Sequence, residues 1–255
     1  MPIQRHELTA FFDELLQPQG FPDYGPNGLQ IEGGTTVERI AFAVSATVRS
    51  AEAAVAAGAQ ALVVHHGLFW RFHGARPLTG LFARRVFPLV RHGVNLYGYH
   101  LPLDAHLEVG NAAAIARRLG MAAWTPFGDY QGVATGVQGE LPESWEAAGL
   151  QRRLETLLNH PVLLASPDPA APIRTLGIIT GGANGEWRQA LAAGLDAYLT
   201  GEMSEHDWHE SQEAGMHMFA GGHHATEQFG IQDLMARVQE ALDVECLYLP
   251  CDNPA

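Results

Sequence analysis

The sequence predicts an α/β protein of two structurally similar, intertwined halves with mixed, largely parallel sheets. Two observations carry that prediction. The chain repeats itself, and within each copy short β-type runs alternate with helical segments. Ala56-Ala57-Gly58-Ala59-Gln60-Ala61-Leu62-Val63-Val64 matches Ala192-Ala193-Gly194-Leu195-Asp196-Ala197-Tyr198-Leu199-Thr200, each a helix end, a glycine cap and a strand.

The N-terminal stretch comes first. Phe11, Phe12, Leu15 and Leu16 fall at helical spacing behind Gln4-Arg5-His6-Glu7, which reads as an amphipathic helix rather than a signal peptide. The first copy then runs from a strand over residues 39–44 through a helix to the strand Ala61–Val64. A further helix leads to a third strand at Gly93-Val94-Asn95-Leu96-Tyr97-Gly98, and the next helix opens near Gly110-Asn111. The second copy repeats the order with strands at 175–180, 197–200 and Gly215-Met216-His217-Met218-Phe219-Ala220, and a helix opening near Gly230-Ile231.

Between the copies, residues 126–172 begin and end in Pro/Gly-rich turns. This segment carries an expected strand near 133–140, a helix over 144–158 with Ser144 as N-cap, and a strand at 162–165. The expected organisation is therefore 1–125 as the first repeat with its N-terminal helix, 126–172 as an inserted strand-helix-strand segment, and 173–255 as the second repeat.

Hydrophobic residues at 47% and charged residues at 17% fit an ordinary globular chain. The formal charge of −13 repels a phosphate backbone, and no dense basic run offsets it, so nucleic acid is disfavoured as a partner. No apolar stretch is long enough for a membrane span. Cys246 and Cys251 lack metal-site spacing and read as free thiols in a reduced, cytoplasmic setting.

In α/β sheets the reactive groups gather at the carboxyl ends of strands. Behind the second strand of the first copy stand His65 and His66. Behind the third strand of each copy a histidine is followed four residues later by a carboxylate: His100 with Asp104, and His223 with Glu227. A lone histidine after a strand is usually a hydrogen-bonded structural residue, and a lone Asp or Glu there usually caps a helix. Recurrence of the pair in register favours ligands.

Imidazoles and carboxylates together suit Zn, Fe, Mn or Ni rather than Mg or Ca. Six ligands, about three for each of two divalent ions, leave positions open for water and substrate, so metal-dependent hydrolysis is the expected chemistry. Glu202 takes the place of the paired histidines in the second copy, and two roles stay open for it: proton shuttle, or a buried pair to an arginine or to a histidine that is not itself a ligand. His206, His209 and Glu210 read as a solvated helix face, and Tyr24-Gly25-Pro26-Asn27-Gly28 is turn-forming, either lining the cavity mouth or serving as a plain turn.

Those motifs resemble the GTP cyclohydrolase 1 type 2 homologues, also called NIF-three-like proteins, and in particular the bacterial members. The resemblance rests on residues 23–30, 64–67, 98–106, 200–202 and 222–227, in the family's order. It implies metal ligation by His65, His66, His100, Asp104, His223 and Glu227. It also implies a ring-shaped homohexamer with metal pairs facing an inner cavity, and a small-molecule substrate such as GTP. No Gly-x-x-x-x-Gly-Lys-Ser/Thr loop is present to cradle a triphosphate. A metal-binding regulatory or scaffolding ring without turnover is the competing expectation.

Overall fold

The apolar β-type runs become the inner strands of two sheets in a computed structural model, which describes residues 2–255. The chain packs into two compact units. One comprises residues up to Leu103 together with Ile231–Cys251, and the other Asp104–Gly230 with Asp252–Ala255.

In the first unit, β1 (Ile3–Gln4) leads into α1 (Arg5–Leu16), where Gln4 N donates to Glu7 Oε2 at 2.7 Å and so satisfies a terminal donor. Leu8, Phe12 and Leu16 form the helix's buried stripe. A five-stranded sheet follows. Its inner strands β4 (Arg39–Ser45), β5 (Ala61–His66) and β6 (Asn95–Gly98) run parallel, flanked by antiparallel β2 (Gly28–Ile31) and parallel β13 (Glu245–Tyr248). The short strand β3 (Thr36–Val37) pairs with β1.

Parallel strands need crossover helices. These are α2 (Val48–Ala56), capped by Thr47 Oγ1 accepting from Ser50 N at 3.0 Å, and α3 (Gly80–Arg91), which buries Phe82, Val86 and Leu89. They cover a core that includes Leu62, Val64 and Leu96.

The second unit holds a six-stranded sheet. Strands β10 (Pro172–Ile178), β11 (Ala197–Thr200) and β12 (His217–Ala220) are parallel, while β7 (Trp124–Tyr130), β8 (Val133–Glu146) and β9 (Leu163–Ala165) join antiparallel. Residues 126–172 thus add strands to the sheet of the second copy. Helices α4 (Leu101–Asp104), α5 (Asn111–Leu119), α6 (Ala147–Leu158), α7 (Trp187–Ala192), α8 (Glu205–Glu213) and α9 (His223–Leu242) complete the chain. Among the described residues no helix is long and apolar enough to cross a membrane.

Two boundaries differ from the sequence expectation. Ser144 is not a helix cap, because β8 runs on to Glu146, whose register with Pro172 of β10 holds the chain extended; α6 starts at Ala147. Helix α9 starts at His223 rather than near Gly230. Gly230 serves close packing instead: a Cβ there would lie 2.3 Å from Asn111 Oδ1, which accepts the Gly230 N–H at 3.0 Å.

Leu199, fully buried in β11 and packed into the core of the second unit, tests this architecture. Leu199→Ala is expected to lower the unfolding free energy by about 2–5 kcal/mol in urea titrations. A loss under about 1 kcal/mol would contradict its core position.

Candidate functional site

Strand β5 delivers His65 and His66 at its carboxyl end, and the turn after β6 delivers His100. The three imidazoles cluster: ring centroids are 4.6 Å apart for His65–His66, 5.1 Å for His65–His100 and 5.7 Å for His66–His100. Each offers a ligand nitrogen within 4.8 Å of the others. The sequence placed these three at strand ends, and the first unit alone gathers them.

What fixes the rings lies outside the expected ligand set. His100 Nδ1 donates to Asp23 Oδ1 at 2.7 Å, and the His100 backbone N–H donates to Asn27 Oδ1 at 2.8 Å. His65 Nδ1 donates to the Tyr99 carbonyl at 3.0 Å, and His66 Nδ1 pairs with Ser45 Oγ at 3.0 Å. With Nδ1 engaged in each ring, Nε2 is the nitrogen that could serve an ion, an arrangement common among metal-binding histidines.

Asp23 is 3% exposed and accepts three further hydrogen bonds, from Tyr24 N, Asn27 Nδ2 and Leu101 N at 2.6, 2.8 and 2.9 Å. Burial pushes its pKa up. The hydrogen bond and charge of His100, then Asn27 and Leu101, outweigh that and hold the carboxyl below its ordinary range. The sequence predicts only a turn at 24–28; an acid just before it, Asp23, with an amide four residues on, Asn27, was the available signal, as was Ser45 at the end of β4.

The second unit holds the other three expected ligands. Glu227 follows His223 by one turn of α9, and His223 Nε2 lies 3.3 Å from Glu227 Oε2. His223 Nδ1 donates to Glu202 Oε1 at 2.6 Å, so Glu202, just beyond β11, stands to His223 as Asp23 stands to His100. Asp104 Oδ1 accepts from Asn111 Nδ2 at 2.8 Å and from Thr180 Oγ1 at 3.3 Å.

Asp104 and Glu227, 8% and 3% exposed, bring carboxylate oxygens within 4.8 Å of each other. Two buried carboxylates this close repel unless a cation or a shared proton lies with them. Gly181, at φ +68°, makes room for the pair: a Cβ there would sit 2.2 Å from Glu227 Oε1.

Burial lowers the pKa of His223, but the hydrogen bonds and charges of Glu227 and Glu202 outweigh it and raise the value to about 9. The cation therefore stabilises the metal-free fold. This contribution is complete below the ordinary histidine value of about 6.5 and is lost as pH rises through about 9.

Other histidines do different work. His206 and His209 are exposed on α8 beside Asp207 and Glu205, the solvated face expected of them. His217 is buried, with Nδ1 on Ser166 Oγ, and burial lowers its pKa. His106 Nδ1 accepts from the backbone N–H groups of Glu108 and Val109. Cys246 and Cys251 are free thiols, and burial, then Glu245, pushes Cys246 up to about 12.

Residues 3–254 match the family described as Duf34/NIF3 (NGG1p interacting factor 3). A Pseudomonas aeruginosa protein named GTP cyclohydrolase 1 type 2 homolog is 40% identical over 256 residues, covering 100% of both chains. Among solved structures, protein ybgI superposes with a TM-score of 0.92 at 36% identity, covering 99% of this chain and 100% of the other. TTHA1606 from Thermus thermophilus gives 0.88 at 32% identity, with the same coverage.

Asp23→Asn tests the clamp on His100. The substituted amide turns a donor toward Asn27 Nδ2 or Leu101 N, so thermal unfolding is expected to show a loss of about 1–3 kcal/mol despite equal volume. Nitrogen-15 spectra of His100 should change from the Nδ1-protonated tautomer to a mixture. An unchanged tautomer and unchanged stability would show that Asp23 does not hold the ring.

Proposed function

The chain belongs to the Duf34/NIF3 family, and on that premise we propose that it is a metal-dependent hydrolase of nucleotides or similar small molecules. In this reading His65, His66, His100, Asp104, His223 and Glu227 together hold two divalent transition-metal ions. The single observation that carries the reading is that all four imidazoles are held through Nδ1, two of them by carboxylates. A structural histidine needs no such uniformity.

The donor set fits first-row divalent ions: imidazole nitrogens with carboxylate oxygens, and no thiolate. Such ions, once bound, supply Lewis acidity and lower the pKa of water. The remaining work falls to the chain. Asp23, Ser45 and the Tyr99 carbonyl orient the three histidines of the first unit. Asp104 and Glu227 would supply carboxylate oxygens to balance the charge of the ions.

Glu202 orients His223 and is the proposed acceptor of the proton that water gives up; being about half exposed, it can pass that proton to solvent. The relatives' name makes GTP the first substrate to try. A cytoplasmic, hexameric ring completes the proposal.

His100→Ala and Glu227→Ala are each expected to remove at least one ion per chain by elemental analysis of protein purified without added metal. Full retention of two ions in both variants would end the metal assignment. Retained metal with no metal-dependent product from GTP or phosphoesters would leave a binding protein rather than an enzyme.

Because His223 must shed its proton to ligate, metal uptake at pH 7 should release protons. Apparent affinity should rise by up to about tenfold per pH unit and level off above about 9. Chelator competition at several pH values measures this, and a flat profile between pH 6 and 9 would exclude His223 as a ligand.

A further inference from the structure

Residues 53–103 contain no Asp or Glu, although the chain has 28 acids, and carry five arginines at 71, 76, 84, 85 and 91. Spread over some fifty residues, these are not the dense run that binds a polynucleotide. They do make this segment cationic within an anionic protein. The His65–His66–His100 cluster lies within it.

One arginine stands out. Arg76 already has partners, with its guanidinium 4.2 Å above the Phe82 ring and Nη1 3.0 Å from His73 Nδ1. Arg71 is exposed, and among the described residues it has no ion pair. Its backbone N–H donates to the Tyr24 carbonyl at 2.8 Å, which ties it to the turn that clamps His100.

Aromatic rings flank that arginine. Trp70 meets His100 edge to face with centroids 5.0 Å apart, and Phe72 stacks on Trp70 at 5.7 Å with planes 16° apart. Phe72 is 69% exposed and Tyr24 42%, so flat apolar faces are open beside the imidazoles. Gly25, Asn27, Gln30, His65, Trp70 and His100 line one recess next to them.

We propose that Trp70, Arg71 and Phe72, with Tyr24, form the ligand-reading wall of this site and take a planar ring bearing one phosphate, the chemistry of a mononucleotide. The ring stacks on the exposed aromatic faces, and the guanidinium of Arg71 takes the phosphate through paired N–H donors. This rests on the metal-site reading above, because the wall is useful to a hydrolase only beside the histidine cluster. The guanidinium of Arg71, next in the chain to the ring that meets His100, matches one phosphate group.

The test is calorimetric titration of the full-length, metal-loaded protein with GMP, guanosine and ribose 5-phosphate. GMP is expected to bind about tenfold or more tightly than either fragment. Arg71→Ala should erase most of the advantage of GMP over guanosine, with Arg71→Lys restoring part of it. Phe72→Ala should weaken GMP and guanosine alike, by about fivefold or more. Both side chains are exposed, and circular dichroism matching the parent confirms the fold of each variant.

GMP binding no more tightly than ribose 5-phosphate, or parental GMP affinity in both Arg71→Ala and Phe72→Ala, would overturn the proposal. So would a change in sedimentation behaviour of the variants without a change in GMP binding, which would make the wall a contact between copies of the chain. Elemental analysis of the same samples separates the two readings. Metal present with no GMP bound sinks the wall alone, whereas absent metal sinks the hydrolase reading.

Discussion

A hydrogen bond on one imidazole nitrogen fixes the ring and so fixes where the other nitrogen points, and that constraint organises the four histidines at the strand ends of this chain. Asp23 holds His100, Glu202 holds His223, a backbone carbonyl holds His65 and a serine hydroxyl pairs with His66. Where the partner can only accept, as at His65, His100 and His223, the hydrogen bond places a proton on Nδ1, and each of the four bonds stops its ring from turning. The two carboxylates do the same service in the two halves, although one comes from a turn before β2 and the other from the end of β11.

The sheets supply the rigid frame this requires. In both units the functional groups follow parallel strands whose interiors are largely apolar, and a strand packed on both faces cannot shift register without exposing its core. Missing side chains matter as much as present ones. Gly181 lets the chain turn tightly against Glu227, and Gly230 lets α9 and the start of α5 approach within one hydrogen bond. Buried carboxylates at Asp104 and Glu227 are costly in such a frame, which is why their proximity points toward a cation.

Charge is distributed unevenly enough to matter. The chain is acidic as a whole, yet the sequence segment 53–103 that carries the histidine cluster has no acid of its own, and Asp23, which reaches the cluster from the turn before β2, is already bound to His100. A long-range field that repels polyanions thus coexists with a local environment suited to one small anion. Aromatic rings beside His100 make the same region of the first unit receptive to a flat ligand.

Much of this was legible in the sequence because it is local. Apolar runs of strand length, glycine caps and the spacing of His100 to Asp104 and of His223 to Glu227 depend only on neighbours along the chain. They were sufficient for the α/β class, the repeat and the candidate ligands. The partners of those ligands were not legible: Asp23 meets His100 across 77 residues and Glu202 meets His223 across 21. Pairing energy likewise overrode local signals at Ser144, held in β8 by β10, and at Gly230, where close packing against Asn111 replaces a helix start. Sequence alone determined which chemistry each strand end carries, since side-chain identity and hydrophobic period are local properties. Tertiary structure alone decided which nitrogen each histidine presents, because that depends on hydrogen-bond partners brought near only by folding.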